Sequence, residues 1–172
     1  MNLDIFEDGD LILTSDGDEI PNPEILEYRN EWVNSETHFT FQQKAYHGYI
    51  NNLYSESWFG TRAATYKYMK NTTVDDIRES TEDENKITGS IITNAGWHFT
   101  YCGDANHIKQ KIHSFCDTHF DVPEVVESVE DNLKSGRDVL NRNQINYHRV
   151  DIDDSFPQYI IDNQEKYSHL IR

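Results

Sequence analysis

The sequence predicts an α/β fold, a single domain over residues 1–172 in which a mixed sheet is flanked by helices. A short apolar run ends in an acidic turn and is followed by a helix signal, which is the order strand, loop, helix. The middle of the chain alternates apolar and polar residues as strands do. Two amphipathic segments with their own capping residues follow. A length of 172 residues suits one domain and is short for two.

The N-terminal elements are a strand, an acidic turn and a helix. The apolar run Asp10–Ser15 predicts a buried strand that ends at the motif Asp16-Gly17-Asp18-Glu19. Asn22 is placed to cap a helix that has Pro23 at its first position. An apolar stripe continues that helix to about Asn34.

The middle of the chain is rich in strand patterns. His38–Gln43 alternates apolar and polar residues, and Trp58–Met69 is similar, with Gly60 marking a turn. Thr73 opens a short capped helix. The polar, charged segment Glu79–Gly89 predicts the most mobile loop of the chain.

The C-terminal half predicts short strands and then helices. Strands are expected at Ile91-Ile92 and Trp97–Tyr101. Asp104 caps a helix that ends near Asp117. The residues Ile108, Ile112 and Phe115 are expected on its inner face. A second helix runs from Pro123 to a stop at Gly136, a strand is expected over Ile145–Ile152, and a last helix begins at about Pro157.

The charge of the chain restricts its partners. With 31 acidic against 15 basic residues the net charge is −16, and no Lys/Arg cluster is present, which excludes nucleic acid as a partner. A divalent cation would still let an acidic surface hold an anionic nucleotide. No segment has the length and apolarity of a membrane span or a signal peptide. We therefore expect a cytoplasmic protein.

The acidic motif is the candidate chemical site. The carboxylates of Asp16 and Asp18 lie on a loop after a buried strand, where Gly17 permits a tight backbone, and such oxygens bind hard cations. A cation placed there neutralises charge on a leaving diphosphate. The pattern alone leaves an alternative open, a solvated turn that caps the next helix.

Two blocks resemble one known family. Ser15–Pro23 resembles the D-x-D-E-I-P segment of glycosyltransferase family 17, the β-1,4-mannosyl-glycoprotein β-1,4-N-acetylglucosaminyltransferases, and Ala95–Tyr101 resembles its A-G-W-H-F-S block. Weaker likenesses are Trp58–Arg62, Gly136-Arg137-Asp138 and Pro157–Ile160. The resemblance implies a GT-A-like (Rossmann-like) domain, a UDP-GlcNAc donor, a glycan acceptor, a Mn²⁺ or Mg²⁺ ion and inversion at the anomeric carbon.

In the GT-A pattern the acidic motif follows a first half of βα units, whereas here it begins at Asp16. We therefore expect a partial GT-A domain that lacks the N-terminal part, with a partner chain or self-association completing the sheet. One alternative is a truncated, inactive remnant that acts as a carbohydrate-binding or interaction module. Another is a simple divalent-cation binding protein, which leaves the Gly-Trp-His-Phe block unexplained.

The resemblance also directs the choice of site residues. An inverting transfer needs a base, and Asp104 beside the Trp-His strand is the candidate, with helix capping as its alternative role. Glu19 is the second catalytic candidate because it supports the acidic loop. The expected metal ligands are Asp16, Asp18 and His119. The expected nucleotide-sugar or acceptor contacts are Asp16, Asp18, Trp97, His98, Arg62 and Lys111.

Overall fold

The protein has the predicted mixed α/β architecture, in which a mixed sheet is accompanied by helices. The computed structural model describes residues 5–78, 87–116, 118–142 and 145–172. The strands are β1 (Leu11–Thr14), β2 (Glu19–Pro21), β3 (Phe39–His47), β4 (Asn52–Thr65), β5 (Ser90–Ile92), β6 (Gly96–Thr100) and β7 (His148–Arg149). The α-helices are α1 (Arg29–Trp32), α2 (Tyr66–Met69), α3 (Val74–Ile77), α4 (Ala105–Ser114), α5 (Pro123–Ser135) and α6 (Gln158–Asp162). Short 3₁₀ helices lie at Pro23–Tyr28, Thr118–Phe120 and Ser168–Leu170.

The chain divides into two compact units. The first comprises residues 1–44 and 56–98, and the second comprises residues 45–55 and 99–172. The architecture is consistent with a partial GT-A-like domain, which confirms the predicted fold class. The single domain over residues 1–172 stays a prediction.

The first unit is built on a sheet with the strand order β1-β4-β3-β6-β2. β1 is antiparallel to β4, β2 is antiparallel to β6, and β5 runs parallel to β3. In the β2–β6 register Glu19 lies opposite His98 and Ile20 lies opposite Trp97. The acidic loop and the Trp-His block, which are far apart in sequence, are therefore neighbours in this sheet.

An aromatic cluster forms the core of the first unit. Trp32 of α1 stacks on Phe39 with ring centroids 4.9 Å apart and contacts Phe41 edge-on. Ala63 and Ala95 complete the buried set, and Leu11 and Leu13 of β1 pack against it. The predicted N-cap is confirmed, because the Asn22 side chain accepts a hydrogen bond from the backbone N–H of Glu24.

The second unit is centred on the packing of α4 against α5. Both helices turn apolar residues at three- and four-residue spacing into one cluster. That buried cluster consists of Tyr101, Ile108, Ile112, Val125, Val129, Leu133, Val139 and Leu140. α5 ends at Gly136, whose φ of 68° lies in the left-handed region that glycine adopts without a steric penalty.

Several local predictions are wrong. Gly60 does not mark a turn but lies inside β4, where the side chains of Gln43 and Glu19 fill the space beside it. Phe115 is 45% exposed, because α4 ends at Ser114 and the chain leaves the helical path before Phe115 can face the core. The strand expected over Ile145–Ile152 is limited to β7.

Two other predictions fall partly or wholly on residues without a described position. Most of the loop expected to be mobile, residues 79–86, and the predicted helix end at Asp117 lie outside the described residues. Of the helices that are described, none combines the length and the apolar character needed to cross a membrane.

Candidate active site

The acidic loop joins β1 to β2 as a tight turn in the first unit. The backbone N–H of Glu19 donates to the carbonyl of Asp16 at 3.1 Å, and the Glu19 carboxylate accepts from the backbone N–H of Asp16 at 3.0 Å. These reciprocal bonds fix the loop against its own strand ends. The three carboxylates differ in exposure, since the side chain of Asp16 is 65% exposed, that of Asp18 is 25% exposed and that of Glu19 is fully buried.

Arg78, which follows α3, inserts its guanidinium between two of these carboxylates. Its Nη2 lies 2.8 Å from Asp16 Oδ2, and its Nη1 lies 3.1 Å from Glu19 Oε2. The same group reaches the backbone carbonyls of Thr14 and Gly60. Burial alone would lower the pKa of Arg78, but its bonds to Glu19 and the charge of Asp16 outweigh burial and raise that pKa.

Glu19 is the buried anchor of the loop. Besides Arg78, its Oε1 accepts a hydrogen bond from the indole N–H of Trp58 at 3.1 Å. A buried carboxylate is tolerated only when its oxygens are paired in this way. Glu19 therefore helps to fix the shape of the loop, and its predicted catalytic role stays a prediction.

Gly60 is a strand glycine because Glu19 and Gln43 occupy the space beside it. A Cβ built on Gly60 would lie 2.2 Å from Gln43 Oε1 and 2.6 Å from Glu19 Oε1. The Gln43 amide is held in turn by Thr61, whose hydroxyl and backbone N–H both contact it. The position needs a residue without a side chain, and this explains why the turn predicted from Gly60 is absent.

Asp18 faces the Trp-His block on the other side of the loop. Its Oδ1 lies 3.4 Å from His98 Nε2. The His98 ring stacks on the Trp58 indole with centroids 4.3 Å apart and an interplanar angle of 19°. Within the described residues, the buried Nδ1 of His98 has no hydrogen-bond partner. An acidic, an imidazole and an indole group thus converge beside the loop.

Arg62 of β4 is buried beneath this site. Its guanidinium donates to the backbone carbonyls of Ile77, Phe59 and Gly60, with 2.7 Å to Ile77 and 2.6 Å to Phe59. Burial, and then the nearby Arg78 charge, lower the pKa of Arg62 to about 10, so it remains cationic at neutral pH. Only 1% of Arg62 is exposed, and its guanidinium binds backbone carbonyls of the site rather than solvent. Its predicted contact with a ligand stays a prediction.

The charges and donor atoms of the loop fit a divalent cation. Three carboxylates face two guanidinium groups, so negative charge is in excess. Asp18 offers a carboxylate oxygen and His98 offers an imidazole nitrogen, a donor pair that suits Mn²⁺. No group of three or more metal-competent side chains is present in the described part of the chain.

The remaining predicted site residues lie on β6 and in the second unit. Trp97 is 8% exposed on β6. Asp104 is exposed and caps α4, accepting from the backbone N–H of His107 at 2.8 Å. Lys111 contacts the Thr100 hydroxyl at 3.3 Å and the Tyr101 ring. His119 is exposed on a 3₁₀ helix beside Phe120. The functional roles of all four stay predictions.

Two residues of the site were missed by the sequence reasoning. Arg78 lies just after the short helix predicted from Thr73, and Trp58 begins a predicted strand pattern, so neither residue was predicted to belong to the site. The resemblance at Trp58–Arg62 was the signal available for Trp58, whose indole donates to Glu19 of the acidic loop. Arg78 carried no such signal, because its partner Glu19 is 59 positions away.

Comparison with known proteins identifies one family. The family model described as Glycosyltransferase family 17 matches residues 1–172. Searches of the curated proteins and of the solved structures give no match.

Proposed function

Because the chain belongs to glycosyltransferase family 17, we propose that it transfers N-acetylglucosamine from UDP-GlcNAc to a glycan acceptor with inversion at the anomeric carbon. A glycosyltransferase activity follows from the family itself. The donor sugar, the metal dependence and the stereochemistry are the finer parts of the proposal. They rest on the residues of the acidic loop and their surroundings.

The observation that carries the proposal is the contact between the two blocks that resemble the family. Asp18 belongs to the acidic segment and His98 to the Trp-His block, and their side chains lie 3.4 Å apart. The β2–β6 register, with Glu19 opposite His98, produces this contact. Two motifs separated by about eighty residues thus contribute side chains to one place, as a binding site requires and a solvated turn does not.

Asp16 and Asp18 are the proposed ligands of a Mn²⁺ or Mg²⁺ ion, with His98 beside Asp18. Such an ion would supply neutralisation of the charge on the leaving nucleoside diphosphate. Glu19 and Arg78 hold the loop in one shape, and the stacked Trp58 keeps His98 in place. Preorganised groups of this kind need no rearrangement when charge develops in the reaction.

Asp104 is the proposed base that removes the acceptor hydroxyl proton. An inverting displacement needs such a group as the new bond forms. Its exposure and its place at the start of α4 keep the carboxylate accessible. Trp97, Lys111 and His119 remain candidates for sugar or metal contacts.

Calorimetry tests the donor and metal parts together. UDP-GlcNAc is titrated into the protein with and without Mn²⁺, using the wild type and Asp18→Ala. We expect Mn²⁺-dependent binding to the wild type and a loss of at least about tenfold in the variant, because each lost charged ligand contact is worth more than 1.4 kcal/mol. Glu27→Ala, which removes an exposed carboxylate elsewhere in the first unit, is the matched control and should bind as the wild type does.

An assay of transfer completes the test. Release of UDP in the presence of a glycan panel, with NMR of the product's anomeric proton, reports both the activity and the inversion. If the wild type gives no Mn²⁺-dependent heat and no transfer, the transferase proposal fails for this chain. The alternative of an inactive carbohydrate-binding or interaction module then takes its place.

A further inference from the structure

A polar cavity of about 590 Å³ lies within the second unit, and none of the residues that line it is a predicted site residue. It opens between the C-terminal half of α5 and the segment that follows Gly136. Its volume falls within the range of about 300 to 1,000 Å³ that small-molecule sites occupy. Nothing in the proposed transfer reaction uses it.

One wall of the cavity is a stripe on α5. Ser128, Asp131 and Asn132 line it at three- and four-residue spacing, the positions that share one helix face. Asn132 is only 5% exposed, and its amide donates to Ser128 Oγ at 3.2 Å and to Asn141 Oδ1 at 2.7 Å. The Asn141 amide donates back to Ser128 Oγ at 2.9 Å. These bonds lock the polar groups of the wall in fixed orientations.

The other wall is a rigid loop. The Asp138 carboxylate accepts from the backbone N–H groups of Leu140 at 3.1 Å and Arg142 at 2.9 Å, so it closes the turn on itself. Val139 and Leu140 are buried in the helical cluster and anchor the turn there. Asn141 has a φ of 58°, a left-handed conformation that asparagine tolerates better than most residues. A wall of this kind is preorganised, which reduces the cost of binding.

Behind the loop, a buried histidine completes the support of Asp138. His47 is fully buried, and its Nε2 lies 3.2 Å from Asp138 Oδ1. Burial alone would raise the pKa of Asp138, but the hydrogen bonds from His47 and Arg142 hold that pKa well below its usual range. Asp138 therefore stays ionised and keeps Arg142 in position through the 2.7 Å bond to Nε.

The charges around the cavity cancel. Arg142 is paired with Asp138, and of the other charged residues in the lining, Arg137 and Asp131 carry opposite signs. An anionic ligand would meet no net positive charge here, and the chain as a whole carries −16. The ligand best matched to such a wall is neutral and rich in hydrogen-bonding groups.

The exposed parts of the lining supply donors in planar groups. Arg142 uses Nε and Nη2 for Asp138 and Tyr147, and its Nη1 makes no hydrogen bond with any other described residue. Tyr147 adds an aromatic ring and Asn146 an exposed amide. Fork-shaped guanidinium and amide groups match the spacing of neighbouring hydroxyls on a sugar ring, and an aromatic ring covers its apolar C–H face.

We propose that this cavity is a binding site for a neutral carbohydrate of one or two sugar residues. The sugar lies against Tyr147 and receives hydrogen bonds from Arg142 Nη1, Arg137 and Asn146. The proposal does not depend on catalysis of transfer, because it requires only that the sugar bind in the cavity.

Saturation-transfer NMR and calorimetry with neutral oligosaccharides of N-acetylglucosamine and of mannose test the proposal on the full chain. Arg137→Ala and Asn146→Ala remove exposed lining groups without touching the buried network. We expect each to weaken oligosaccharide binding about tenfold. Lys134→Ala, an exposed α5 residue outside the lining, is the matched control and should leave the affinity unchanged.

Two outcomes overturn the proposal. The first is that neutral sugars do not bind the wild type, or that they bind both lining variants as tightly as they bind the wild type. The second is inorganic phosphate, used as an anionic probe, that binds the wild type and is lost in Arg137→Ala while sugars are not affected. Asp18→Ala separates this site from the proposed donor site, because it should abolish Mn²⁺-dependent UDP-GlcNAc binding and leave oligosaccharide binding intact.

Discussion

The guanidinium of Arg78 and the carboxylate of Glu19 form two hydrogen bonds in the first unit, at 3.1 Å and 3.2 Å. The Glu19 side chain is fully buried and that of Arg78 is 14% exposed, so solvent screens the pair only weakly. The same guanidinium extends to Asp16 at 2.8 Å. A residue after α3 therefore offsets part of the negative charge of the loop between β1 and β2 and helps to fix its shape.

Arg78→Ala should destabilise the protein by about 3 kcal/mol, because it leaves the Glu19 carboxylate buried without its cationic partner. The Trp58 indole and the Asp16 backbone N–H still bind Glu19, so the loss is partial. Urea unfolding followed by circular dichroism measures the change. Arg29→Ala removes an exposed arginine of the same unit and should change the free energy of unfolding by less than about 0.5 kcal/mol. Equal effects of the two variants would contradict the pairing described here.

Arg78→Ala should also tighten Mn²⁺ binding in the absence of nucleotide. The guanidinium competes with a metal for Asp16, and its removal lowers the repulsion felt by a second cation. We expect a gain of about tenfold, the effect of roughly 1.4 kcal/mol of coulombic free energy. Water-proton relaxation measures Mn²⁺ affinity directly, at a temperature where the variant is folded. An unchanged affinity would place the metal away from Asp16.

Gly60→Ala should destabilise the protein by about 1 to 3 kcal/mol, the usual cost of forcing an extra carbon into a packed interior. The new Cβ would overlap the side chains of Gln43 and Glu19, which are buried and hydrogen-bonded and so resist displacement. Gly17→Ala is the matched control, because a Cβ there meets no atom within 4 Å. Thermal or urea unfolding of both variants decides the comparison. A Gly60→Ala variant as stable as Gly17→Ala would show that the site repacks freely.

The sequence alone predicts those parts of the fold whose causes are local. The Asn22, Thr73 and Asp104 caps and the Gly136 stop were all predicted correctly, because each depends on a side chain or a φ angle within three residues of a helix end. The β1 strand and its acidic turn were also predicted from consecutive residues, but the prediction that this strand is buried is wrong, because its four residues are only half-buried in β1. Capping and turn chemistry are local, so they can be read from a few consecutive letters.

The parts that could not be predicted depend on contacts between distant residues. Position 60 needs a glycine because the side chains of Gln43 and Glu19 occupy the space where a Cβ would lie. The alternation of apolar and polar residues in a strand does not reveal such a contact. Arg78 belongs to the site because it contacts Glu19 and Asp16, which lie more than fifty positions away in the sequence. The resemblance to a family, and not composition or periodicity, placed both Asp18 and His98 among the expected ligand contacts, but their contact with each other was not predicted.

Two substitutions at Asp104 separate its capping role from its proposed role as a base. Asparagine caps helices about as well as aspartate, so Asp104→Asn should keep stability within about 0.5 kcal/mol, whereas Asp104→Ala should lose about 1 kcal/mol. Both variants should lower kcat by about a hundredfold or more, because neither asparagine nor alanine can take the proton from the hydroxyl of the glycan acceptor. Urea unfolding and a transfer assay measure the two effects. If Asp104→Asn transfers at the wild-type rate, Asp104 is a cap and the base lies elsewhere.

The buried imidazole of His38 should make the protein less stable in mild acid. Its Nε2 contacts the Thr88 carbonyl at 2.9 Å and its Nδ1 contacts the Tyr68 hydroxyl at 3.1 Å, an arrangement that satisfies the neutral ring. Burial lowers the pKa of His38, more than the Thr88 bond raises it, and the charge of Arg62 lowers it further. The unfolded chain then binds a proton more readily than the folded one, at an ordinary pKa of about 6.5.

The contribution of His38 to stability is therefore complete above pH 6.5 and is lost as the pH falls from about 6.5 toward the lower pKa of the folded state. Unfolding free energies measured in urea between pH 8 and pH 5 should decline along this interval. His38→Gln should flatten that part of the decline, and His169→Gln, at an exposed position, should leave it in place. Only a group whose proton affinity differs between the folded and the unfolded state changes the unfolding free energy with pH. A decline of the same size in the wild type and in His38→Gln would therefore assign the acid sensitivity to groups other than His38.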